Sequence, residues 1–305
     1  MEDYNNEFQY DYTYSMIIPH KNCPILLQRC LDSISYRKDV QVIVVDDNSD
    51  SSKVDFSHFP GLNTPNVEVY FTKEGKGAGY ARNVGLKYAR GKWLMFVDAD
   101  DFLAIDFLEK IDTYANSNSD IVYFRLADES DLESIPQNLQ SVIDIERGIV
   151  YNTLLDDEEY VKFYHNIPVG KIVRSYCVRK NGILFDEIPC ANDVMFFVKL
   201  AFCVEKVDIS LEYIYCVSKP TGRNLTSRKD YNTGKVRLQV LLERNDLLLK
   251  SGYKKLLIPP MVMLWDFRTI GLKGLLSYCW IIINSSTPLF LGISKFLKSP
   301  LTYLK

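Results

Sequence analysis

Apolar residues follow two rhythms along the chain, and their alternation predicts its elements. Ser15-Met16-Ile17-Ile18-Pro19 is a short apolar run stopped by proline, which predicts a strand. Pro24 to Tyr36 carries apolar residues at Ile25, Leu26, Leu27, Leu31 and Ile34, a helical period with proline in its first turn. Val40 to Val45 is a β-branched run of the kind buried on both faces, and it ends in Asp46-Asp47-Asn48-Ser49. Val67 to Phe71 predicts another strand. A loop with Gly75, Gly77 and Gly79 follows, then a helix from Ala81 to Ala89 closed by Gly91. Trp93 to Val97 predicts the next strand and runs directly into Asp98-Ala99-Asp100-Asp101. A helix over Ile105 to Tyr114 and a strand over Asp120 to Phe124 continue the series. Such alternation indicates an α/β fold with a mainly parallel sheet. Sheets of this kind bind ligands at the carboxyl ends of their strands, where both aspartate groups lie.

The second half is less regular. Ser130 to Arg147 is polar and predicts an insertion. Glu158 to Lys180 has helical patterning around Pro168, and Asp193 to Phe202 is helical with Asn192 or Asp193 at its start. Ser218 to Asp230 is a basic, glycine-containing loop. Gly234 to Lys250 predicts an amphipathic helix. Gly274 to Ser294 has no charged residue, but Asn284-Ser285-Ser286-Thr287-Pro288 breaks it into halves too short to span a bilayer. Flanked by Lys273, Lys295 and Lys298, those halves suit either interfacial attachment to an anionic membrane or helices packed on the domain. The organisation expected is a lead-in (1–12), a main domain (13–230) and a helical, basic, apolar region suited to membrane association (231–305).

Composition changes this picture in one respect. The chain of 305 residues is 47% hydrophobic with a net charge of -3, which is globular and gives no global pull on nucleic acid. The charge is uneven: seven basic residues against Asp266 from Lys254 onward leave +6 there and -9 in the rest. Seven cysteines form no CxxC pair and no zinc spacing, so they read as small buried hydrophobes in a reducing compartment. The first residues carry no basic and apolar pattern of a signal peptide, and a cytoplasmic location is expected, with the tail peripheral on the cytoplasmic face of the membrane.

Candidate chemistry centres on the aspartates. Hard divalent cations take oxygen ligands, and two carboxylates at a strand end suffice when a diphosphate supplies the others. Asp100 is assigned as the direct metal ligand, Asp98 as its companion near a ribose or the metal's water shell, and Asp101 as the cap of a helix near Leu103. The glycine loop matches half of a dinucleotide fingerprint, but Arg82 occupies the third glycine position and argues against nicotinamide binding. Arg82 instead lies at a helix start that favours anions.

IIPHKN, VVDDNS and GAGYARNVGLKYARGKWLMFVDADD together resemble the family 2 glycosyltransferases of the GT-A fold, over about Ser15 to Ile214. The resemblance implies a nucleotide-diphospho-sugar transferase-like mixed sheet flanked by helices, with a C-terminal helical extension. It implies that Pro19 and Lys21 line the nucleotide pocket, that Asp47 or Asp46 and Arg82 contact the base, and that Asp98 and Asp100 form the metal–diphosphate pair with Mn2+ or Mg2+. It places the general base of an inverting transfer at Asp193, with Asn192 where glutamate is usual. Lys219, Arg223, Arg228 and Lys229 are candidates to close over the diphosphate. No QxxRW occurs, so single-sugar transfer is expected, from a UDP-type donor to a saccharide or lipid-linked acceptor of surface polysaccharide. His165 reads as a surface histidine. Two other readings are a nucleotide-sugar-binding subunit without turnover, hinted at by Asn192, and a nucleotidyltransferase, which would want a GxGxR loop where this chain has PHKNCP.

Overall fold

The computed structural model describes residues 9–128, 158–218, 229–288 and 291. The insertion expected at Ser130 to Arg147 and residues 219–228 of the basic loop lie outside them. The chain forms two compact units, one built from Met1–Asn138, Ile167–Glu187 and Lys199–Lys219, the other from Leu139–Asn166, Ile188–Val198 and Pro220–Lys305.

The first unit holds an eight-stranded mixed sheet. Its strands are β1 (Tyr12–His20), β2 (Val40–Asp47), β3 (Val67–Thr72), β4 (Gly91–Phe96), β5 (Phe102–Leu103), β6 (Ile121–Asp128), β7 (Lys171–Arg174) and β8 (Val207–Val217), in the order β3-β2-β1-β4-β7-β6-β8-β5. β3, β2, β1 and β4 run parallel, with Ile17 opposite both Ile43 and Phe96. All of β2 is buried, as its β-branched run requires. Helices α1 (Pro24–Asp32), α2 (Ala78–Tyr88), α3 (Phe107–Asp112) and α5 (Ser175–Lys180) flank the sheet strands in sequence. α1 stops four residues short of the expected end. The Ser33 hydroxyl donates to the Cys30 carbonyl there and accepts the Leu103 N–H at 3.0 Å, so the helix end is fixed to β5.

Two features explain the α2–sheet approach. Gly77, at the cap of α2, has φ +96°, a conformation natural only to glycine. Three positions beyond Arg82, Gly85 faces β1 so closely that a Cβ there would overlap Ile17 Cγ2. The close packing denied at Arg82 is therefore made at Gly85.

The helical pattern expected through Lys180 is corrected by β7. Gly170 at φ +69° breaks the path, and Lys171 to Arg174 then pairs with β4 and β6, all four residues buried. A central sheet slot for the β-branched pair Ile172-Val173 overrides the local helical period.

In the second unit lie α4 (Glu158–Tyr164), α7 (Tyr231–Lys250), α8 (Met261–Asp266) and α9 (Gly271–Ile283). α6 (Val194–Ala201) begins in this unit and ends in the first. Asp230 caps α7 by accepting the Thr233 N–H at 3.0 Å. Leu238, Leu242, Phe267, Tyr278 and Ile282 form its apolar core. Arg244 is buried, donates to the Phe163 and Leu256 carbonyls at 3.2 and 3.1 Å, and lies over the Tyr164 ring. His165 is buried here too, against the surface position expected, because it follows α4 into the packed interior. Among the described residues no helix is long and apolar enough to cross a membrane.

Candidate active site

The parallel pairing of β1 with both β2 and β4 brings three strand ends to one edge of the sheet. There the loop after β1 locks onto the loop after β2. His20 Nδ1 donates to Asp46 Oδ1 at 2.7 Å while its Nε2 accepts the Cys23 N–H at 3.1 Å. Ser49 donates its N–H and hydroxyl to Asp46, and its hydroxyl accepts the Asn22 N–H. Burial alone would raise the Asp46 carboxyl, but the His20 and Ser49 hydrogen bonds hold it below the usual carboxylate range. Asp46 is thus consumed as a scaffold, and it holds the adjacent Asp47 in place.

Asp47 is arranged differently. Its Oδ2 accepts from Lys21 Nζ at 3.0 Å and from the Gly77 N–H at 2.9 Å. Its Oδ1 is buried and has no hydrogen-bond partner among the described residues. An orphan carboxylate oxygen of this kind is costly unless a donor arrives. Pro19, half-buried at the end of β1, lies in register with Val45, two residues before Asp47.

The start of α2 links Asp47 to the second aspartate group. Gly77 at its cap touches Asp47, while Arg82 one turn on donates to Asp98 Oδ1 at 2.6 Å and lies over the Phe185 ring at 5.4 Å. Arg82 is buried, so this charge pair is strongly oriented. Asn83 then clamps the Phe185 backbone, donating to its carbonyl and accepting its N–H at 2.9 and 2.8 Å. The Ala-Arg-Asn run is therefore a bracket: one side chain for Asp98 and an aromatic ring, the next for the backbone beneath that ring.

Of the three clustered carboxylates, only two face outward. Asp98 is partly exposed and Asp100 is exposed. Desolvation by its surroundings, then the charge of Asp98, push the Asp100 carboxyl above its ordinary value. A cation beside them would relieve that repulsion, and their oxygens suit a hard divalent ion. Among the described residues no third His, Cys, Asp or Glu completes a metal cluster, so a bound ion would draw its other ligands from a diphosphate or water. Asp101 is not the helix cap expected. Phe102 and Leu103 form β5, α3 begins only at Phe107, and Asp101 is buried with Tyr215 Oη donating to Oδ2 at 2.7 Å and the Ser218 N–H to Oδ1 at 2.8 Å. Burial first, and Asp98 second, push its carboxyl up to about 7.

Pro19, Lys21, Asp46, Asp47, Arg82, Asp98 and Asp100 all belong to the first unit. Asp193 belongs to the second, at the entry to α6, where its carbonyl accepts the Phe197 N–H at 3.1 Å. Arg223 lies outside the described residues. Tyr215 and Arg29 join the site without any motif to announce them.

A sheet of this order is the GT-A glycosyltransferase fold. Staphylococcus aureus TarS 1-349, in complex with UDP-GlcNAc, superposes with a TM-score of 0.67 over 96% of this chain and 88% of that one, at 20% identity. The mannosyltransferase PcManGT of Pyrobaculum calidifontis, in complex with GDP-Man and Mn2+, gives 0.58 over 98% of this chain and 87% of that one, at 16% identity. The profile of glycosyl transferase family 2 matches residues 15–182, and the chain belongs to that family. Among curated proteins, the poly(ribitol-phosphate) beta-glucosyltransferase of Bacillus spizizenii is 26% identical over 208 residues, covering 66% of this chain. The chain spans 31% of the length of that relative.

Proposed function

We propose that the protein transfers a sugar from a UDP-type donor to a hydroxyl of a cell-wall polysaccharide, with inversion, one sugar at a time. The observation that carries this reading is the buried Oδ1 of Asp47, unpartnered among the described residues, on a carboxylate held by Lys21 and Gly77. The imide N–H of uracil supplies the donor it wants. The UDP-GlcNAc bound by TarS and the polyol-phosphate acceptor in the name of the Bacillus relative support the same donor and acceptor classes.

In this reading Asp98 and Asp100 hold Mn2+ or Mg2+. When bound, the ion stabilises the negative charge that develops on the leaving diphosphate. Arg82 orients Asp98, Pro19 and Lys21 line the nucleotide pocket, and Arg223 contributes from the basic loop. Asp193 takes the proton of the acceptor hydroxyl as its oxygen attacks the anomeric carbon. Thermal shift of the full chain with UDP-glucose, UDP-GlcNAc and GDP-mannose, with Mn2+ or EDTA, tests the donor. A UDP-sugar should raise Tm by a few degrees in Mn2+, since ligand at about 100 times Kd adds about 2.7 kcal/mol. No shift with either UDP-sugar, or an equal one with GDP-mannose, overturns the donor assignment.

Peripheral contact with the cytoplasmic membrane face completes the reading. α9 buries Gly274, Tyr278 and Ile282, yet leaves Leu272, Leu276, Trp280 and Ile283 exposed on another face, with Lys273 its sole charge. A helix apolar on both faces calls for cover. The +6 surplus of the C-terminal segment, whose Asp266 is already paired with Lys229 at 2.6 Å, favours an anionic lipid surface. Sedimentation with vesicles containing phosphatidylglycerol should capture the wild type, while a Leu276→Glu/Trp280→Glu variant binds about 10-fold less, consistent with losing ~1.4 kcal/mol or more of apolar insertion. Equal binding by the variant, or none by the wild type, removes the membrane contact. A dimer that the variant dissolves would assign the face to a second copy.

A further inference from the structure

The loop that carries Asp98 and Asp100 is held from outside itself by groups that no sequence motif includes. Its backbone is exposed to three separate anchors. The Asp98 N–H donates to Tyr215 Oη at 3.0 Å, and the same hydroxyl donates onward to Asp101 Oδ2 at 2.7 Å. Arg29, reaching over from α1, donates through Nη2 to the Asp100 carbonyl at 2.6 Å and to Ser218 Oγ, and its guanidinium lies 5.0 Å from the Phe102 ring centre. The third anchor is the pairing of Phe102 and Leu103 with Cys216 and Tyr215.

We infer that Tyr215 and Arg29 are positioning residues for the Asp98–Asp100 pair: they fix the backbone on which both carboxylates stand and so set the gap into which a divalent cation and a diphosphate fit. The chemistry of each residue is specific to that task. A phenol both accepts and donates, which lets Tyr215 join a backbone N–H to a carboxylate that can only accept. Tyr215 is fully buried, so its hydroxyl has no water to substitute for either bond. Asp101 spends both oxygens on this framework, one on Tyr215 and one on the Ser218 N–H, and is thereby withdrawn from metal binding. The three carboxylates thus divide into two that face a ligand and one that anchors them. Arg29 acts on the other side of the same loop, at the carbonyl of Asp100, where a guanidinium fork can hold a carbonyl and a hydroxyl together.

This inference rests on the proposed metal role of Asp98 and Asp100, and its test separates the two. UDP binding to the full chain is measured by calorimetry in Mn2+ and in EDTA, for wild type, Tyr215→Phe, Arg29→Ala and Arg29→Lys. Tyr215→Phe keeps the ring and loses only the hydroxyl. Its UDP affinity in Mn2+ should fall about 10-fold, the equivalent of one hydrogen bond involving a charged group, while affinity in EDTA stays at the wild-type value. Arg29→Ala should behave likewise, with Arg29→Lys recovering part of the loss, and it decides the matter alone if Tyr215→Phe does not fold. Equal losses in Mn2+ and EDTA mean general damage to the fold and overturn the inference, as does an unchanged Mn2+ effect in both variants. A wild type that binds UDP equally in Mn2+ and EDTA overturns the metal reading itself, and the positioning role falls with it.

Discussion

Asp193→Asn cuts sugar transfer by about 100- to 10,000-fold and leaves binding of the UDP-sugar within about twofold of wild type, the separation expected when only a proton acceptor is removed. The amide is nearly the same size as the carboxylate, so α6 keeps its start and its first backbone bond from Phe197. It cannot take the acceptor's proton, and direct displacement at the anomeric carbon then lacks its base. Donor binding is assigned to other side chains, Pro19, Lys21, Asp47, Asp98 and Asp100 of the first unit and Arg223 of the second, none of which the substitution changes. Transfer to a soluble acceptor and calorimetric titration of donor, run on the same preparation, check both halves. Equal losses in transfer and binding would mean that Asp193 supports the fold or the donor, and transfer near the wild-type level would place the base elsewhere.

The second large effect belongs to Asp100. Asp100→Ala should lower UDP affinity in Mn2+ to the value seen in EDTA and reduce transfer by about 100-fold or more, since a bound cation supplies several kcal/mol of leaving-group stabilisation. Asp100 is exposed and its carboxylate carries none of the loop's backbone anchors, which run through Tyr215, Asp101 and the Asp100 carbonyl. Stability should therefore change little. Urea unfolding of the variant, beside the binding assay, checks this. A persistent difference between Mn2+ and EDTA in Asp100→Ala would move the direct ligand to Asp98 or beyond.

Much of this site could be read from the chain, and what could not has a physical reason. The parallel half of the sheet, β1 to β4, announces itself through β-branched and apolar runs that end in charged residues, and the aspartates at those ends were legible with it. β7 was not, because four residues with a helical period give no strand signal until the slot between β4 and β6 exists. β5 is only two residues long. Asp101 looked like a cap because aspartate before an apolar residue usually is one; its actual partners lie 114 and 117 positions away. Arg82 pairs with Asp98 and lies over Phe185, contacts that its place at a helix start did not announce. Such long-range partners are invisible to spacing, which reports only what a helix or strand brings together locally.

The anchoring of the DADD loop by β8 also fixes an order of events as the chain emerges from the ribosome. β1, β2, β3 and β4 pair mainly with one another, and the Asp46–His20 lock joins positions only 26 apart, so the half proposed to bind the base can form once about a hundred residues are out. The half proposed to hold the metal cannot. Its loop has Asp98 and Asp100 in hand early, but Tyr215 and Ser218 arrive more than a hundred residues later. Closing so long a loop carries an entropic cost that short-range contacts avoid. The nascent protein thus completes the Asp46–Asp47 strand end well before it fixes the Asp98–Asp100 loop.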